Sequence, residues 1–189
     1  MTEQQTSGEL RTRFEALVHV VAEPLHRFLL RRADADAVED ILSETLLALW
    51  RRIDDLPALA TGSEVDPDTV LPWCYGVARG CLANARRADG RRRRLMQRLT
   101  LAQRPLPAAG ADHTDLYAAL GTLRELDREL VLLWAWEGLA PRQIAEATGL
   151  TPNAVSIRLH RAKRRLAVQL ERKTRRRTGH DRGEGRSEG

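Results

Sequence analysis

Aromatic residues are scarce in this 189-residue chain: four tryptophans, two tyrosines and two phenylalanines, 4% in all. A core must therefore be assembled from Leu, Ala and Val. With almost no β-branched or aromatic runs, that mixture favours helices over strands. Cysteine is nearly absent. Cys74 and Cys81 stand seven apart in a helical pattern, hence on one face, with no CxxC pair and no histidine cluster to complete a metal site. Two free buried thiols are the expectation. Lysine is as rare, Lys163 and Lys173 only, so the 31 basic residues are nearly all Arg; against 26 acids they leave a net charge of +5. Arg suits bidentate contacts to phosphate and guanine, which makes a polyanion a candidate partner. No stretch reaches the ~18–20 apolar residues of a membrane span, and the N-terminal "MTEQQTSGELRTRF" has no apolar core of a signal peptide. A cytoplasmic protein is expected.

Catalytic signatures are missing as well. There is no HExxH, no Gly-rich phosphate loop and no Ser/His/Asp set, and the five histidines (19, 26, 113, 160, 180) are scattered. The chain is expected not to be an enzyme, and to need no cofactor and no metal.

What is present is helical periodicity. Phe14, Leu17, Val18, Val21, Leu25, Phe28 and Leu29 form one stripe, and a second helix is predicted from about Asp36 to Asp54. The segment 55–71, with Pro, Gly, Ser and Asp at short intervals, reads as a loop, and a third helix is predicted from near Pro72. "AQRPLPAAGADHTD" lacks periodicity and reads as a linker. Shorter helices are predicted over roughly 114–122, 126–137, 141–148 and 152–171. From Arg172 onward, seven basic residues face three acids, with nothing apolar to bury. Disorder is expected there, as either a cationic extension near DNA or an inert overhang.

The segment "PRQIAEATGLTPNAVSIRLHRA" (141–162) has the logic of a helix-turn-helix. Pro141 suits a first helical turn and Ala145 is small where two helices would cross. Gly149 can adopt positive φ, and Thr151 can cap a new helix with Pro152 at its first position. Ile144, Leu150, Val155 and Leu159 would close the small core. Asn153, Ser156, Ile157, Arg158, His160, Arg161 and Arg164 are then the candidate DNA-facing residues. Asn matches adenine, Arg matches guanine or phosphate, and Ser matches either base.

In the N-terminal half, "DADAVEDILSE" (34–44) places Asp36, Glu39, Asp40 and Glu44 along one helix surface. So acidic a stripe would repel phosphate. It fits a basic protein surface, with an ordinary solvated face as the alternative.

Taken in order, three segments resemble the extracytoplasmic-function sigma factors, the small bacterial initiation factors with only sigma regions 2 and 4. "VEDILSETLLALWRR" (38–52) is similar to region 2.2, where an acidic pair precedes a hydrophobic helix ending in Leu-Trp. "PWCYGVARGCLANARR" (72–87) resembles the region 2.3–2.4 helix through Trp73, Tyr75, Val77, Ala78, Arg79 and Arg87. Residues 123–166 resemble region 4, with Leu-x-x-Leu, Glu-Gly-Leu, Ile-Ala-Glu and Val-x-x-Arg-Leu-x-Arg-Ala in sequence. Departures are Ser43 for the usual Gln, Leu46 for Phe, Gly80 for Asn and Asn84 for Asp.

The resemblance implies an all-α chain of two small helical domains: region 2 over 10–99, a flexible linker over 100–113, region 4 over 114–171 and a basic tail over 172–189. It implies a transcription initiation factor that carries core RNA polymerase to promoters. Asp36, Glu39, Asp40, Ser43 and Glu44 would dock the clamp helices of the β′ subunit, and region 4 would pack on the β flap. The recognition helix would read the −35 element. Trp73, Arg79, Arg86, Arg87, Arg91 and Arg92 would serve the −10 element and its phosphates; for Trp73, plain core packing stays open. An anti-sigma factor is a common partner in the family. The rival expectation is a free-standing helix-turn-helix regulator that binds DNA as a dimer.

Overall fold

A computed structural model describes residues 3–56, 65–97 and 114–180, the side chains at the outer ends of these spans excepted. Every regular element among them is helical. α1 spans Glu3–Leu30, α2 Val38–Arg51, α3 Pro67–Gln97, α4 Thr114–Gly121, α5 Glu125–Ala135, α6 Pro141–Thr148 and α7 Pro152–His180. Single 3-10 turns at Ala35–Ala37 and Ile53–Asp55 flank α2. The chain divides into two compact units, one of residues 1–105 with 146–149 and the other of 106–145 and 150–189.

In the first unit α1, α2 and α3 pack against one another. Leu17, Val21, Leu25, Phe28 and Leu29 of α1 are fully buried, and they meet Val38, Ile41 and Leu49 of α2 and Val70, Cys74, Ala78, Cys81 and Leu82 of α3. Those spacings of three and four put one stripe of each helix inside. Phe28 and Tyr75 stack at 5.1 Å between centroids, so two of the few aromatics are used to join α1 to α3. Thr45 is the buried polar side chain of this core; its hydroxyl donates to the Ile41 carbonyl at 2.7 Å, one turn back, so that hydroxyl is satisfied within its own helix.

Two boundaries differ from expectation. α3 starts at Pro67, not near Pro72. The Asp66 carboxylate accepts from the Asp68 N–H at 3.1 Å and from the Thr69 hydroxyl, and Pro67 takes the first helical position, where a missing N–H costs nothing. In a run so rich in turn-forming residues, a helix start looks like more loop. At the other end, α7 does not stop near 171 but continues to His180, so residues 172–180 are helical and not an unstructured tail. Arg and Lys are good helix formers, and no Gly or Pro interrupts the helix before Gly179. The part of the expected 55–71 loop at 57–64, the linker over 100–113 and residues 181–189 fall outside the described residues.

The second unit is organised on α7, against which α4 and α5 pack. Val155, Leu159, Ala162 and Leu166 of α7 are buried with Leu120, Leu123, Leu130, Leu133, Leu139 and Ile144. Among the described residues no helix is long and apolar enough to cross a membrane, and no His, Cys, Asp and Glu cluster could hold a metal ion.

Both cysteines are buried free thiols, as expected. Burial pushes the Cys74 thiol from an ordinary 9.0 up to about 12. It raises Cys81 as well, against an opposing hydrogen bond with Thr45. A thiol whose folded pKa lies above its unfolded value stabilises the fold fully below pH 9 and loses that contribution as pH climbs toward 12. Denaturant unfolding of the first unit should therefore weaken across that alkaline window, and Cys74→Ala should remove part of the fall. At neutral pH, the native chain should leave Cys74 unmodified by thiol-specific alkylating reagents until denaturant is added.

Candidate nucleic-acid interface

The α6–α7 pair carries the capping chemistry that a sharp helix-turn-helix requires. Before α6, the Ala140 N–H donates to Gln143 Oε1 at 2.9 Å, and Pro141 opens the helix. Gly149 sits at φ +72°, where a side chain would be strained, and reverses the chain. Two residues later the Thr151 hydroxyl accepts from the Ala154 N–H at 3.3 Å while Pro152 starts α7. Ile144, Ala145, Val155 and Leu159 are buried between the helices, and Leu150 is half-buried. The turn thus stands on two caps and a small apolar core.

On the outer surface of α7, Asn153, Ser156, Ile157, His160, Arg161 and Arg164 are all exposed. The Ser156 hydroxyl donates to the Pro152 carbonyl at 2.9 Å, which leaves its oxygen able to accept from a base. Ile157 is 44% exposed, an apolar group with no core to join and a match for a thymine methyl. Arg165 and Arg172 are exposed on the same helix, while the Lys163 ammonium lies 4.2 Å from the centre of the Trp134 ring.

Arg158 departs from its expected place among the outward-facing residues. It is half-buried, and its Nη1 donates to Asp127 Oδ1 at 2.8 Å, an ion pair between α7 and the first turn of α5. Asp127 is not among the residues expected from the sequence. Its signal was an acid three residues before buried Leu130 and four before buried Val131, on the inner face of an apolar helix where an unpaired carboxylate is costly.

In the first unit, Asp36, Glu39, Asp40, Ser43 and Glu44 are exposed along α2 and the turn before it. Asp36, Asp40 and Glu44 follow at intervals of four, and Glu39 pairs with His26 Nε2 at 3.1 Å. Leu47, 47% exposed, extends this line by one turn and supplies an apolar end that charge pattern alone does not reveal. Trp73 is half-buried with the Arg52 guanidinium 5.4 Å from its ring centre, so it is neither a free stacking platform nor a closed core residue. Arg79 is half-buried. Arg86 is exposed but donates to the Arg32 carbonyl at 2.9 Å, which fastens α3 to the segment after α1. Arg87 donates to Asn84 Oδ1, and Arg91 is exposed. The Arg92 side chain lies outside those described. The arginines expected as one phosphate-facing group are therefore partly used to hold the fold.

Residues 113–166 match the family model "Sigma-70, region 4". Over 166 residues the chain is 30% identical to ECF RNA polymerase sigma factor SigL of Mycobacterium tuberculosis, covering 82% of this chain and 88% of SigL. The chain belongs to the extracytoplasmic-function RNA polymerase sigma factors. Such factors serve transcription initiation and are not, in general, enzymes. This sigma factor is also 28% identical over 177 residues to the probable RNA polymerase sigma factor RfaY of Xanthomonas campestris pv. campestris; the match covers 88% of this chain but 41% of RfaY. Its fold resembles that of the sigma factor RpoE of Bartonella quintana, solved in complex with the anti-sigma factor NepR, at a TM-score of 0.60 and 23% identity over 84% of this chain and 96% of that one.

The turn can be tested without DNA. An alanine Cβ at Gly149 meets no atom within 4 Å, so Gly149→Ala changes only backbone strain and should destabilise the α6–α7 turn by about 1–2 kcal/mol. Thr151→Ala should cost about 0.5–2 kcal/mol through the lost cap. Chemical denaturation followed by Trp134 and Trp136 fluorescence measures both.

Proposed function

We propose that this sigma factor docks core RNA polymerase through the exposed face Asp36–Leu47, reads a −35 element with α7, and engages the −10 element with α3. Residues 10–99 serve as region 2 and 114–171 as region 4, and the protein works in the cytoplasm. The single observation that carries the reading is the capped start of α7, where Asn153, Ser156, Ile157 and His160 stand exposed beside Arg161 and Arg164. The N-terminal residues of a recognition helix are the ones that reach base edges in the major groove.

Arg158 drops out of the base-reading set in this reading, since its fork is engaged by Asp127. Arg161 takes its place as the foremost guanine contact. Among the α3 arginines whose side chains are described, Arg91 is the best suited to phosphate, being exposed with no role in the fold like that of Arg86. Docking uses the opposite chemistry: three carboxylates at intervals of four, ending in an apolar Leu, suit a basic helical surface with an apolar seam such as the β′ clamp helices. A protein inhibitor that covers the same surfaces is the expected regulator, by similarity to the RpoE–NepR pair.

Promoter selection is the direct test. Holoenzyme assembled from this chain and core polymerase should enrich a two-element sequence from a random duplex library; enrichment of nothing beyond core alone would remove the reading. Arg161→Ala should weaken binding by ~1–3 kcal/mol and relax preference at one −35 position if the contact is bidentate to guanine. For docking, Asp40→Arg with Glu44→Arg should abolish co-elution with core on gel filtration while helix content stays unchanged, because both side chains are exposed.

A further inference from the structure

The Arg158–Asp127 pair sits in a cleft of about 360 Å³ whose lining includes Arg124, Arg161 and Arg165, so four arginines there face one carboxylate. The Asp127 side chain is 15% exposed and that of Arg158 41%. A 2.8 Å contact between ionised groups is a charge-assisted hydrogen bond, and its half-sheltered position protects it from the screening that makes surface pairs weak. Asp127 also lies in the first turn of α5, where the helix dipole favours a carboxylate. Both circumstances hold Arg158 on the protein.

We propose that Asp127 is a positioning residue for promoter reading: it anchors the base-reading end of α7 through Arg158 and keeps that arginine off the DNA. The proposal rests on α7 being the −35 helix. Arg158 lies one turn beyond Ala154, within the stretch that carries Ser156, Ile157 and His160, so a tie to α5 at this point sets the direction in which those three side chains project. An arginine already neutralised by a carboxylate displaces no counterion when DNA binds. Arg158 therefore adds nothing to the salt dependence of binding, although it sits among arginines that do. Removing the carboxylate leaves four guanidinium groups around a cleft with no acid among its lining residues, and a phosphate becomes the best partner for the one released.

Salt titrations distinguish this arrangement from an ordinary structural ion pair. The isosteric Asp127→Asn should steepen the slope of log affinity against log salt by about 0.9, a roughly threefold to fourfold extra loss across a fourfold rise in salt, because one more phosphate is contacted. Arg158→Ala should leave the slope unchanged. Both variants should broaden the −35 profile of the holoenzyme over several adjacent positions, as expected when a whole helix shifts, and Arg158→Lys, which keeps the charge pair, should restore it. Circular dichroism checks that each variant is folded. A slope that falls by about one unit in Arg158→Ala, or a preference lost at a single base pair there while Asp127→Asn is silent, would overturn the proposal and make Arg158 a direct DNA contact. The slopes are measured both on the promoter enriched by wild-type holoenzyme and, with the full chain alone, on a mixed-sequence duplex. The second measurement needs no promoter. If wild-type enrichment fails, the −35 reading fails with it, and an unchanged slope for Asp127→Asn on the mixed duplex sinks the positioning role separately.

Discussion

The second unit depends on the burial of one stripe of α7. Val155, Leu159, Ala162 and Leu166 fall at intervals of three and four and are all buried, with α4 and α5 packed against their helix. Because a helix is rigid, fixing that stripe also fixes what the opposite surface presents: Asn153, Ser156, Ile157, His160, Arg161 and Arg164. The caps at Gly149 and Thr151 fix where the helix begins, hence which residues lie at its leading end. DNA recognition is thus a by-product of packing in a literal sense, since the side chains that would read bases are those the core leaves over.

Arginine is used in two ways that composition cannot separate. Some arginines finish the fold: Arg158 pairs with Asp127, Arg86 holds the Arg32 carbonyl, and the Arg32 guanidinium lies 3.8 Å from the Phe28 ring centre. Others, such as Arg91, Arg161, Arg164 and Arg165, stand exposed. The guanidinium group is suited to both uses, because its planar fork and weak hydration let it lie against carbonyls, carboxylates and rings as readily as phosphates. A net charge of +5 therefore does not measure how many phosphates the protein can neutralise; the number of arginines left without a protein partner does.

In the first unit the same division runs around α2. Val38, Ile41, Thr45 and Leu49 turn inward, with Thr45 closing its hydroxyl on its own helix, while Asp36, Asp40 and Glu44 turn outward and Leu47 follows them. Outward carboxylates at every fourth position repel one another, which offsets the favourable placement of Asp36 and Asp40 in first helical turns. Under the proposed docking role, their exposure would be complementarity to a cationic partner, and the polymerase and DNA surfaces would not compete.

Most of this was legible in the linear chain. Scarce aromatics, helical spacing of Leu and Val, and the punctuation of Pro141, Gly149, Thr151 and Pro152 are local properties, set by residues within a turn or two of one another. They determined the all-α class, the helix-turn-helix and the acidic line of α2. What tertiary structure alone decided is partnership at a distance. Arg158 and Asp127 are 31 positions apart, and Arg86 reaches Arg32 across 54. Helical periodicity says that a residue lies near a face boundary but not which group waits across it, so Arg158 reads as outward until α5 is placed beside α7. Capping was ambiguous at Asp66–Pro67 for a related reason: the residues that start a helix are the residues that make turns, and only the chain that follows shows which they did.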